Sequence, residues 1–147
     1  MAELPGSVLF ACTMNAIRSP MAAAILKFFH GPRIYVDSVG VRAGEPDPLV
    51  EEVLDEVGIP LKGHVTQDFA QLEDDFFDVV VSLSPEAHHR AVEFMRDAAV
   101  EVDFWRMPDP SLVEGNRTQR LDAYRALRDI LMDRIYHRFP PAGSPAP

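Results

Sequence analysis

A cysteine and an arginine with five residues between them, Cys12-Thr13-Met14-Asn15-Ala16-Ile17-Arg18, run directly into Ser19-Pro20-Met21. A loop of that length can curl until its backbone N–H groups converge on one point, making an anion nest above a helix N-terminus. Arg18 closes such a nest with a planar, two-pronged donor suited to a tetrahedral oxyanion. Cys12 then lies in the floor, where the nest and the helix dipole favour a nucleophilic thiolate. A cysteine that follows an apolar run is ordinarily a small core residue. The Arg18-Ser19 spacing at a strand-to-helix turn is what weighs against that reading here.

The flanking elements position the loop. Val8 to Ala11 is a short apolar run that reads as a buried strand. Ser19-Pro20 followed by Met21 and three alanines opens a helix. That helix runs from Met21 to Phe29 with Ile25, Leu26, Phe28 and Phe29 as apolar positions, and His30-Gly31-Pro32 stops it. His30 reads as a residue of the helix C-terminus, where positive charge is welcome.

The segment Cys12 to Met21 resembles the signature of the low-molecular-weight protein tyrosine phosphatases, which the related arsenate reductases share. The resemblance spans Val8 to about Ile135. It departs from the family pattern at Met14, usually glycine, and at Ile17, often a second cysteine. It implies that Ser38, with Gly40, follows the second strand and helps hold Asn15, and that His64 supports the loop from behind. It also implies that Asp109, within Trp105-Arg106-Met107-Pro108-Asp109-Pro110, is the general acid. Prolines on both sides stiffen that segment and hold its carboxyl group at one reach.

The remaining chain alternates strands and helices. Arg33 to Ser38 is a β-branched and aromatic strand ending in a Val39-Gly40 turn. Asp47-Pro48 opens a helix carried by Val50, Val53, Leu54 and Val57 and closed by Gly58. Asp47 is a second Asp-Pro candidate for the acid, but a helix N-cap accounts for it. Asp78 to Leu83 suits a central strand buried on both faces. Pro85 to Asp97 forms a helix with Ala91, Val92 and Met95 inward. His88 and His89 diverge by about 100° on such a helix and cannot share a zinc ion. Val100 to Trp105 is a fourth strand, and Thr118 to Phe139 a last helix with Leu121, Tyr124, Leu127, Leu131 and Ile135 in its stripe. The alternation predicts a single doubly wound α/β domain over residues 1–139: four parallel strands with helices on both faces. The resemblance adds the strand order 2-1-3-4. Residues 140–147, rich in proline, read as a disordered tail.

The net charge of −9 argues against nucleic acid or an anionic membrane as partner. Residues 45–78 hold eleven acids against Lys62 alone, and read as a solvated flank. No apolar stretch reaches membrane-spanning length, and one cysteine allows no internal disulfide, so a bacterial-type, cytoplasmic protein is expected. The expected activity is hydrolysis of a phosphate monoester on a protein or small molecule through phosphocysteine. Cys12 is the nucleophile, and Arg18 with the amides of Thr13, Met14, Asn15, Ala16 and Ile17 holds the oxyanion. Asp109 is the acid, and Ser19 donates to the sulfur. No metal or organic cofactor is required. Inorganic phosphate or another oxyanion should occupy the loop. The alternatives are an arsenate reductase using an external thiol, a phosphoarginine phosphatase, or a non-catalytic phosphate sensor, which Met14 would favour by narrowing the cradle.

Overall fold

In a computed structural model the described residues are 4–61, 63–73, 76–96 and 99–141. Eight elements follow in order: β1 (Ser7–Cys12), α1 (Arg18–His30), β2 (Tyr35–Gly40), α2 (Pro48–Asp55), β3 (Val79–Ser82), α3 (Pro85–Phe94), β4 (Glu101–Phe104) and α4 (Arg117–Arg138). The strands form one parallel sheet in the order β2-β1-β3-β4, as the sequence and its resemblance imply.

Period-two alternation along β1 builds two cores. Val8 and Phe10 point to the side covered by α1, α2 and α4, while Leu9 and Ala11 pack against α3 and a 3₁₀ turn at Phe69–Gln71. Because β1 is covered on both faces, it is apolar from Val8 to Cys12, as a central parallel strand must be. The order reverses between β1 and its neighbours β2 and β3, so the crevice beyond their carboxyl ends is where such a sheet binds ligands. Cys12 is the last residue of β1.

Several boundaries differ from the sequence reading. α1 begins at Arg18, three residues before Met21, because the loop curls straight into the helix without a capping side chain at Ile17. Val39-Gly40 continues β2 instead of turning: Gly40 lies opposite Cys12 in the ladder and donates its N–H to the Gln67 carbonyl (2.9 Å). Phe28 and Val92 are exposed because they fall outside the stripe their helices bury, and Val57 because α2 ends at Asp55, before it. α3 ends at Phe94, and Asp97 lies outside the described residues, as do Lys62, Asp74, Asp75 and tail residues 142–147.

The acidic flank is not simply solvated. Glu52 pairs with Arg117, and Glu56 with Arg125 and Arg128 (both 2.7 Å), so α2 is laced to α4. At the other end of α4, Arg138 bonds Glu101 and Asp103 (3.1 Å each) on the edge strand β4. No described helix is long and apolar enough to cross a membrane.

Candidate active site

The Cys12–Arg18 loop is shaped by where its carbonyls go. Those of Cys12, Thr13 and Met14 accept from the N–H groups of Val41 (3.0 Å), Arg42 (2.9 Å) and Gly44 (2.9 Å). The Asn15 carbonyl accepts from His64 Nε2 (2.8 Å), which fixes His64 as the donor because a carbonyl can only accept. In a trans peptide the next N–H points the opposite way. Four consecutive N–H groups, Thr13 to Ala16, are thereby turned to the other side of the loop, and none of them bonds a described residue. The uncapped start of α1 adds its own open N–H groups. Together they form the anion nest that the spacing predicts.

Asn15 is the hinge of this curl, with φ at 54°, the sole non-glycine in the left-handed region among the described residues. Its amide holds it there: Nδ2 donates to Ser19 Oγ (2.8 Å) and Ser38 Oγ (2.9 Å), and Oδ1 accepts from the Gln67 N–H (2.9 Å). Asn15 and Ser19 are both fully buried, so these bonds are not exchanged with water. The loop also presses on Gly40, where an added Cβ would lie 2.6 Å from Asn15 N and 2.9 Å from the Met14 carbonyl carbon. Glycine at 40 is thus a condition of close approach.

Ser19 Oγ lies 2.9 Å from Cys12 Sγ, and the Ser19 N–H also points at the sulfur (3.4 Å). Since Asn15 already donates to Ser19, the serine has one proton to give, and the sulfur is nearer than the Val39 carbonyl at 3.3 Å. Met14 does not need a left-handed backbone, so glycine is not required at 14 for its φ. Its side chain, 40% exposed, packs against Gly44, where an added Cβ would come within 3.0 Å of Met14 Cε.

A cavity of about 200 Å³ is walled by Cys12, Met14, Ile17, Arg18, Asp47 and Asp109, with Ala16, Gly44, Glu45 and Ser111 completing it. The segment after β4 thus brings Asp109 to the same cavity as Cys12 across 97 positions of sequence (109 − 12). A larger cavity of about 530 Å³ lies between α1 and the residues Pro60, Leu61, Gly63, His64 and Val65; it touches Ser38 but none of Cys12, Arg18 and Asp109. The three candidate residues Cys12, Arg18 and Asp109 meet in the smaller one. Among the described residues no aromatic side chain lines it.

Asp109 Oδ1 accepts from the Ser111 N–H (3.0 Å) and hydroxyl (2.6 Å), and Oδ2 bonds no described residue. Asp47 accepts from the Leu49 N–H on Oδ1 (3.0 Å) and from the Tyr124 hydroxyl on Oδ2 (2.6 Å). Burial, then the bond to Asp47, raises the Tyr124 phenol above its ordinary range and keeps it a donor. His88 is turned to Ser82 Oγ (2.8 Å) and stacks on Phe104, while exposed His89 faces Glu93. His30, buried, donates Nε2–H to the Phe139 carbonyl (2.6 Å), a tie between helix ends. Gln67 and Ser84 belong to the loop's support; Gln67 carries no motif in sequence, and Ser84 shows only as a serine before Pro85 at a helix start.

The family model described as low molecular weight phosphotyrosine protein phosphatase matches residues 7–135. A glutaredoxin arsenate reductase of Synechocystis sp. is 28% identical over 128 residues, covering 87% of this chain and 92% of that protein. An arsenate reductase structure in the phosphate-binding state is 25% identical with a TM-score of 0.69, covering 90% of this chain and 95% of that one. The tyrosine phosphatase AmsI of Erwinia amylovora shares the fold at a TM-score of 0.72 and 22% identity, covering 90% and 89%.

Proposed function

Given that this chain belongs to the low molecular weight phosphotyrosine protein phosphatase family, we propose that it hydrolyses phosphate monoesters through a phosphocysteine intermediate. Cys12 Sγ attacks phosphorus, and the nest of N–H groups with Arg18 takes the charge that gathers on the non-bridging oxygens. Asp109 gives a proton to the leaving oxygen, then takes one from the water that attacks phosphocysteine. The Ser19 proton eases the departure of sulfur in that second step. The supporting observation is that Asp109, with one oxygen unengaged, shares a cavity with Cys12 and Arg18.

Relatives named arsenate reductases support a second reading. Reduction of arsenate takes two electrons, which two thiols supply by becoming a disulfide. Cys12 is the one cysteine of the chain, so every other thiol must come from an external reductant. Hydrolysis needs the proton donor the site has, whereas reduction needs a thiol it lacks, and hydrolysis is the better supported reading.

Purified protein should release phosphate from p-nitrophenyl phosphate without added metal, and Cys12→Ser should abolish turnover while keeping its fold. In parallel, arsenate with glutathione or dithiothreitol should yield little arsenite. Arsenite formation well above ester hydrolysis would replace the phosphatase reading with the reductase one, and full activity in Cys12→Ser would remove both.

A further inference from the structure

Arg18 is already held in this structure, and both of its anchors lead to one place. Its Nη1 donates to the Met107 carbonyl (3.2 Å) and its Nη2 to Thr13 Oγ1 (3.4 Å). Met107 is fixed in turn by its N–H, which donates to the Leu83 carbonyl (3.0 Å). Thr13 is fixed by its hydroxyl, which donates to Ser84 Oγ (3.0 Å). Two adjacent residues at the exit of β3 therefore set both acceptors of the guanidinium. Leu83 is fully buried and Ser84 is 3% exposed, so this support is rigid and dry.

The proton arrangement is consistent. Ser84 Oγ accepts from the Ala87 N–H (3.2 Å) as the cap of α3, and accepts again from Thr13. Thr13 spends its proton on Ser84 and keeps a lone pair for Arg18, which can only donate. An arginine side chain free to rotate would have to be ordered at each encounter with the oxyanion, at an entropic cost. Held beforehand, it meets the transition-state charge without reorganisation.

Accepting the phosphatase reading above, we propose that Ser84 is a positioning residue for catalysis, orienting Arg18 through Thr13 at the turn that also fixes the approach to Asp109. Ser84 touches no substrate. Its hydroxyl is required, and its role as a helix cap is separate from its role in turnover.

The test compares Ser84→Ala, Ser84→Thr, Thr13→Val and the Ser84→Ala/Thr13→Val double variant. On p-nitrophenyl phosphate, Ser84→Ala and Thr13→Val should each lower kcat about tenfold with KM changed far less, the loss expected for one hydrogen bond acting on a charged donor. Ser84→Thr should restore kcat, and the double variant should be no worse than either single one, because both break one relay. Losses that multiply, or a kcat for Ser84→Ala equal to the parent's with only a lower Tm, would overturn the proposal. A readout independent of turnover is the Arg18 Nε–H resonance in a ¹⁵N spectrum. It should report an ordered side chain in the parent and in Ser84→Thr, and a mobile one in Ser84→Ala and Thr13→Val. A parent that hydrolyses nothing removes the phosphatase reading alone, and an Arg18 signal unchanged across the series removes this one.

Discussion

The chain contains two aspartate–proline corners, and they are alike until the second carboxylate oxygen is considered. Asp47 starts α2 and Asp109 starts the 3₁₀ turn Pro110–Leu112; each caps its helix by accepting the N–H two residues on, at 3.0 Å. Both line the same cavity. N-capping therefore cannot separate them, although it is the reason sequence alone offers for setting Asp47 aside. The difference comes from α4, 77 positions away (124 − 47), where Tyr124 takes the remaining oxygen of Asp47. No described residue does the same for Asp109, whose Oδ2 stays available. A carboxylate's role here is decided by what its free oxygen meets.

The largest effect should come from breaking that difference at its active end. Asp109→Asn should slow esters with poor leaving groups by about 10²–10⁴-fold and those with good ones far less, since general acid catalysis contributes on that scale. Asp47→Asn should slow both kinds alike, by a small factor. Equal slowing of both substrates in Asp109→Asn, or a leaving-group dependence in Asp47→Asn, would exchange the two roles.

The next effect is on stability and belongs to the other corner. Asp47→Ala removes the α2 cap and leaves the buried Tyr124 hydroxyl without its acceptor, which together cost about 2 kcal/mol. Tyr124→Phe removes the donor along with the need for it and should cost about 1 kcal/mol. Denaturant midpoints of the two variants test the ordering. If Tyr124→Phe in an Asp109→Asn background restores poor-leaving-group hydrolysis, Asp47 becomes an acid once its oxygen is released.

Much of the fold is legible in the amino-acid sequence. Apolar and β-branched runs place the strands and 3.6-residue spacings the helices, and the Cys12-to-Arg18 spacing names the loop, because all are local properties of the chain. Of the boundaries that differ, Gly40 extends β2 through a tertiary hydrogen bond to Gln67, and Arg18 begins α1 early because the loop curls straight into the helix. The supports of the loop are legible only in part. Asn15 carries a backbone preference and can be singled out, whereas Gln67 acts through its main-chain N–H, and Met107 through its carbonyl. Any residue but proline offers that N–H, and every residue that carbonyl, so no side-chain pattern announces them. Ser84 does have a signal, a serine before Pro85 at a helix start. What that signal omits is that the capping oxygen is shared with Thr13.

The smallest effect probes the lacing that holds α2, and with it Asp47, against α4. Hydrogen bonds from Arg125, then Arg128, hold the Glu56 carboxyl down to about 2 from an ordinary 4.5, against the opposing pull of desolvation. A carboxyl whose folded value is depressed contributes stability that is fully present above its unfolded value and is lost as pH falls through the folded one. The contribution of Glu56 is therefore complete above pH 4.5 and disappears between there and about pH 2. Glu56 is a third exposed, so solvent screens the pair and the effect is modest. Glu56→Gln should be slightly less stable than the parent at pH 7, should lose stability less steeply below pH 4.5, and should converge on the parent near pH 2. Denaturant midpoints measured across that window check the slope. At pH 7 the same variant should keep the parent's leaving-group dependence, because Glu56 secures the end of α2 remote from the cavity. A changed dependence would mean that the hold of α4 on Asp47 reaches the chemistry, and the two corners would no longer be separable.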